Sequence, residues 1–195
     1  MKDGPKRRDV SIRARLLLLA RERGDEFQRV LTRYGIERLL YRLGSTDVAE
    51  RYVLKGAMLF ATWPEHALRP TGDLDLLGHG SSDAEAVVQV FSEVCRIGFP
   101  DDGIVFDPAT LQAKQVREAG EYHGVRLTLR ADLAGAGIPL QVDIGFGDRV
   151  YPAPLRREFP GLLPGLPAPN LLMYPPETVI AEKFATTLLC SSLQG

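Results

Sequence analysis

The chain has only two cysteines and three histidines among its 195 residues, and neither set has the spacing of a thiolate or imidazole metal site. Cys95 and Cys190 stand in helical-looking segments with no CxxC pair and read as buried free thiols. With no signal peptide at the start, that usage points to a reducing cytoplasm. His66, His79 and His123 are scattered, and His79 falls just past a strand, where it reads as a loop residue. A charge of one sign is also lacking. Lys+Arg total 24 against 25 Asp+Glu, a net charge of -1, so any polyanion has to be met by a local patch. The longest apolar run near the start, Leu16 to Ala20, falls far short of the ~20 residues a membrane span needs. The expectation is a soluble protein with no membrane partner. Internal repeats are missing too. What remains is a composition that is 45% hydrophobic, enough to bury a sizeable core.

The first third is helical in character. Residues 1 to 8 are charged, contain Gly4 and Pro5, and read as a frayed terminus. From Ser11, apolar residues recur at Ile12, Leu16, Leu19 and Ala20, then at Phe27, Val30, Leu31, Tyr34, Leu39 and Leu40. That spacing predicts two amphipathic helices, broken near Gly24 and ending near Gly44, with Asp9 or Ser11 capping the first and Asp25 the second. Arg7, Arg8, Arg13, Arg15, Arg21 and Arg23 make this region basic. The plain reading is a solvated helix face; the alternative is a phosphate-contact surface.

The middle of the chain changes period. "RYVLKG" (51–56) reads as a short strand rising into Gly56, followed by a helical pattern in "AMLFATW", and "GDLDLLG" (72–78) as a second strand. Asp83 to Ile97 has helical spacing. "GIVFD" is another strand candidate, and "GVRLTLRADL" and "IPLQVDIGFGD" form a hairpin-like pair across "AGAG". Beyond Asp148 prolines crowd in from Pro152 to Pro176, which reads as an extended connector, with a final helix from Pro176 through "ETVIAEKFATTLL". The fold class is therefore α/β (α+β): a small mixed sheet flanked by helices. Three regions are expected: an N-terminal helical region (1–50), a core (51–150), and a proline-rich connector that starts a C-terminal helical part (151–195).

Side chains alternate across a strand, so Asp73 and Asp75 share one face while Leu74 and Leu76 enter the core. The second strand repeats the design, with Leu140, Val142, Ile144 and Phe146 on one face and Gln141, Asp143 and Gly145 on the other. If the two strands are neighbours, three carboxylates converge, and such a cluster repels itself unless something positive joins it. Hard oxygen ligands without histidine or thiolate suit Mg²⁺ or Mn²⁺, completed by substrate phosphates. That donor set fits phosphoryl or nucleotidyl transfer. Lys55 and Gly56 lie at a strand-to-helix junction, where backbone N–H groups and a helix dipole attract phosphate. An ordinary turn is the competing reading, and the GxxxxGK[ST] spacing of a Walker loop is absent. Trp63 reads as a core residue with base stacking as the alternative; Asp132 and Asp148 read as loop or strand-end carboxylates.

Taken together, "LKGAMLFATW", "RPTGDLDLL", "LQVDIGFGD" and "ETVIAEKFA" resemble the AbiEii/AbiGii-type nucleotidyltransferase toxins of the DNA polymerase β-like nucleotidyltransferase superfamily. Arg69, Thr71, Asp73 and Asp75 match the family's Arg-x-Ser/Thr-x-Asp-x-Asp stretch, Asp143 its strand aspartate, and Glu182 and Lys183 its Glu-Lys helix. The resemblance covers about residues 50 to 190. It implies a metal-dependent nucleotidyltransferase in which Asp73, Asp75 and Asp143 hold Mg²⁺ (or Mn²⁺). Lys183 would contact the triphosphate or the catalytic carboxylates, and Lys55, Gly56, Ala57, Arg69, Thr71 and Gly72 would bind nucleotide. It further implies the toxin half of a toxin–antitoxin or phage-defence system, with an NTP as donor, the 3′ end of tRNA as acceptor and a cognate antitoxin as partner.

Two departures from the pattern stand out. Where relatives carry Gly-Gly-Thr or Gly-Gly-Ser, this chain has Gly56, Ala57 and Met58, losing a hydroxyl that could meet phosphate or metal. Relatives continue past the Glu-Lys helix into an Arg-x-x-Asp-like element that "CSSLQG" does not resemble, the mark of a truncated or shortened relative. Two alternatives accompany the leading expectation: a nucleotidyltransferase acting on a protein or small molecule, and an inactive module that binds nucleotide or a partner.

Overall fold

A computed structural model of the chain describes residues 5–63, 72–117 and 123–181. Three helices, α1 (Pro5–Arg23), α2 (Phe27–Gly44) and α3 (Ala84–Arg96), accompany seven strands in these residues. The strands are β1 (Tyr52–Lys55), β2 (Asp73–Gly78), β3 (Val105–Arg117), β4 (His123–Leu133), β5 (Ala136–Phe146), β6 (Leu155–Glu158) and β7 (Asn170–Met173). All seven form one sheet in the order β3-β4-β5-β2-β1-β7-β6. The β2–β5 and β1–β7 pairs are parallel and the rest antiparallel. The expected mixed α/β class is what the chain adopts, with a larger sheet than the sequence pattern outlined.

Alternation decides what each strand buries. Leu74 and Leu76 of β2, Val125, Leu127 and Leu129 of β4, and Ile138, Leu140, Val142 and Ile144 of β5 all enter the core. The helices supply the other wall with Leu16, Leu31, Leu39, Leu40, Leu43, Val87 and Phe91. Phe91 meets Tyr52 edge to face with ring centroids 5.5 Å apart. The β4–β5 hairpin turns at Ala134 (φ 51°) and Gly135 (φ 78°). Two consecutive left-handed residues match the twist of the flanking strands. Asp132 Oδ1 accepts from the Gly135 N–H at 3.0 Å and fixes that turn.

Several local expectations need correction. The first helix already begins at Pro5, a residue preset for a first helical turn, and Asp9 and Ser11 lie within it. The second is preceded by Glu26 in extended conformation with no side-chain cap, not by Asp25. The segment after β1 is a 3-10 helix of only 6 residues, Ala57–Thr62, too short to carry much of a dipole. The proline-rich stretch is more than a connector, since it adds β6 and β7 to the sheet. Its prolines flank these strands and none falls inside them, so no ladder N–H is lost. β6 is an edge with all four residues exposed, charged at Arg156, Arg157 and Glu158, which discourages further pairing. A helical segment starts at residue 176 as expected and is described to residue 181. No described helix is long and apolar enough to cross a membrane.

Candidate active site

The Asp-x-Asp strand lies at the centre of the sheet, between β1 and β5. In the parallel β2–β5 register Asp75 stands opposite Asp143 and Asp73 opposite Gln141. On the other side Lys55 of β1 stands opposite Asp75, and beyond β5 Arg126 of β4 stands opposite Asp143. Directly opposed residues share a face, so four adjacent strands carry one row: Lys55, Asp75, Asp143, Arg126. Two like charges side by side would be destabilising. A cation at each end of the row offsets them.

Arg126 grips Asp143 with both arms of its fork. Its Nε donates to Asp143 Oδ1 at 2.7 Å and its Nη2 to Oδ2 at 3.0 Å. Gln141 Nε2 adds a third bond to Oδ2 at 3.0 Å. The hydrogen bond and charge of Asp143, followed by the charges of Asp73 and Asp75, hold the guanidinium above its already high pKa. Lys55 Nζ donates to Asp148 Oδ2 at 3.3 Å, in the loop after β5. On the face of β2 that carries the aspartates, exposure increases from buried Leu77 to half-buried Asp75 to exposed Asp73, so the carboxylates open towards solvent.

Gly56 explains how β1 passes so close to Asp75. It has φ 73°, and a Cβ built on it would lie 2.0 Å from Asp75 Oδ2. Only glycine combines that left-handed turn with that clearance. A cavity of about 830 Å³ adjoins Asp73 and Gly72, lined also by Thr110, Gln112, Thr128, Arg130 and Gln141. Hydroxyl, amide and guanidinium groups share its wall with Ala109, Leu129, Pro139 and Leu140, and the polar groups are of the kind that meets sugar hydroxyls and phosphates.

The sequence matches the family model for the nucleotidyl transferase AbiEii toxin of type IV toxin–antitoxin systems over residues 38–193. The chain belongs to the AbiEii nucleotidyltransferase toxin family. No curated protein matches. Among solved structures, the chain is similar to a "putative nucleotidyltransferase" from H. pylori, at 15% identity and a TM-score of 0.49, covering 81% of this chain and 58% of that one. It is similar also to JHP933 from Helicobacter pylori, at 13% identity and a TM-score of 0.47, covering 81% and 56%. The AbiEii-family chain thus spans less than two thirds of the length of these structures.

The fold brings Lys55, Gly56, Asp75 and Asp143 together, with Asp73 one step along the same face. Ala57 opens the 3-10 helix beside them, and Gly72 precedes β2 with no atom of the described residues within 4 Å of a built Cβ. Arg69, Thr71, Glu182 and Lys183 lie outside the described residues. The two aspartate-bearing strands are neighbours as expected, with Asp75 in register with Asp143 and Asp73 on the same face. Among the described residues no group of three or more His, Cys, Asp and Glu side chains is placed to hold a metal ion. Arg126, Gln141 and Asp148 were not singled out by motif. Arg126 was nonetheless legible: "GVRLTLR" alternates, and counting outward from the two-residue turn at Ala134 and Gly135 places it opposite Asp143.

Proposed function

We propose that this chain is a Mg²⁺- or Mn²⁺-dependent nucleotidyltransferase that moves a nucleoside monophosphate from an NTP to the 3′ end of tRNA. The observation that carries the reading is the register of Asp75 against Asp143, flanked by Lys55 and Arg126 and roofed by Gly56. Hard carboxylates without histidine or thiolate fit a hard divalent cation, and Mg²⁺ needs only one or two of them when substrate phosphates complete its shell. Asp73 and Asp75 would hold the ion. Bound there, it would neutralise triphosphate charge and favour departure of pyrophosphate.

The remaining roles fall to the protein's own groups. Lys55, at the end of the row, offsets the carboxylates and lies beside the expected path of the phosphates. Asp143 would orient the acceptor hydroxyl and accept its proton as the hydroxyl oxygen bonds to the α-phosphorus and the bond to the β-phosphate breaks. The polar cavity beside Asp73 takes the acceptor sugar. Arg69, Thr71 and Lys183 complete triphosphate binding on this reading, and cytoplasmic tRNA is the natural acceptor pool for such an enzyme.

The test is incubation with total tRNA, Mg²⁺ and each labelled NTP in turn, beside Asp73→Ala. Label should enter tRNA with one nucleotide and vanish in the variant. Equal labelling by the variant would remove Asp73 from the site, and label appearing only on protein would move the acceptor.

A further inference from the structure

Asp143 is already engaged by two neighbouring side chains. Both of its oxygens are taken by the Arg126 fork, at 2.7 and 3.0 Å, and Oδ2 also accepts from Gln141 at 3.0 Å. A metal ion in contact with Asp143 would have to share or displace these donors. The two ends of the pair differ in freedom. Asp143 is anchored on a central strand with a side chain 22% exposed, whereas the Arg126 side chain is 46% exposed, at the solvent face of β4. Exposed ion pairs contribute little to stability and are screened by salt, so the fork can open without disturbing the fold. Beside it, Asp75 holds a second carboxylate in register with Asp143, and such a pair of negative charges would attract a divalent cation more strongly than a monovalent one.

We propose that Arg126 is a positioning residue that latches Asp143 while the site is empty of metal and gives way when the divalent ion arrives, so that the third carboxylate joins the site only on loading. This rests on the metal-dependent reading above. The latch would keep Asp75 and Asp143 from repelling each other in the empty protein, and it would make metal binding weaker than the bare carboxylates allow.

The test is Mn²⁺ binding followed by electron paramagnetic resonance, without nucleotide, on the full chain and on Arg126→Ala, Arg126→Lys and Asp73→Ala. Circular dichroism should show all four folded. The latch predicts that Arg126→Ala binds Mn²⁺ roughly threefold or more tighter than wild type. Arg126→Lys should fall between them, because lysine keeps the charge but cannot hold both oxygens. Lysine behaving as wild type while alanine tightens binding would reduce Arg126 to a background charge and overturn the latch. Unchanged or weaker binding in Arg126→Ala would do the same. If wild type binds Mn²⁺ no better than Asp73→Ala, the metal site itself fails and the latch with it. A latch that fails while wild type still outbinds Asp73→Ala leaves the metal reading standing.

Discussion

Charged residues meet in two places in this molecule, and the two are built on opposite terms. Behind the sheet, Arg42 and Asp102 form a bidentate pair at 2.7 and 3.2 Å with 2% and 0% exposure. Arg42 also donates to the Ile97 carbonyl at 2.9 Å and lies 4.7 Å from the Phe106 ring. Glu37 and Arg38 are equally buried; Glu37 accepts from Arg38 at 2.8 Å and from the Leu162 N–H at 2.7 Å. On the front, the Lys55, Asp75, Asp143, Arg126 row opens to solvent. Buried pairs are costly to break because each leaves an unpaired charge in the core. They join α2 to the loop before β3 and to the proline-rich stretch, and they cannot be rearranged. The front row can, and that is what a site exchanging metal and phosphates requires.

The contrast can be broken most forcefully at the back. Asp102→Ala strands Arg42 in the core and should cost about 3–5 kcal/mol, read as a lowered urea midpoint at unchanged slope. A loss no larger than that of a surface carboxylate would mean water reaches Arg42. Next comes the seam between the two regions. Gly56→Ala forces a Cβ into Asp75 at φ 73° and should cost about 1–3 kcal/mol through backbone strain alone, while labelling of tRNA is lost as Asp75 moves. Full activity in that variant would remove Gly56 from the site.

A subtler probe uses pH. Burial, outweighing the charge of Arg38, holds the Glu37 carboxyl above its usual range. The folded state therefore keeps this proton at pH values where the unfolded chain has released it. On this group alone, stability declines as pH rises from the ordinary carboxylate value of 4.5 through the raised folded one. Wild type should lose stability relative to Glu37→Gln across that window, and a gain with rising pH would show the Arg38 pair to dominate. The smallest effect concerns a thiol. Burial pushes Cys95 up to about 12, so in a Cys190→Ser background native protein should show no titratable thiol at neutral pH and denatured protein one. A thiol that reacts in the native state would mean that α3 opens.

Much of this was legible in local pattern. The helices from Ile12 to Leu43, the Asp-x-Asp strand and the β4–β5 hairpin follow from spacing of 3.6 or 2 and from turn residues, which act over a few positions. Buried charge was not legible: nothing in the sequence around Arg38 and Arg42 marks them as interior, and only contact with Pro167, Ile97 and Asp102 makes them so. The same holds for β6 and β7, whose prolines suggested a connector until the parallel partner strand β1 drew Asn170–Met173 into the sheet.

By itself, then, the sequence determined which face of each strand is apolar, where the chain turns, which carboxylates are candidates for the chemistry and, through its joint motifs, the AbiEii family. The tertiary structure alone decided who opposes whom. Alternation assigns a residue to a face, but the order β3-β4-β5-β2-β1-β7-β6 is a choice among pairings distant in sequence, made by the fit of the whole core. That choice set Asp75 against Asp143, and it gave Asp143 to Arg126.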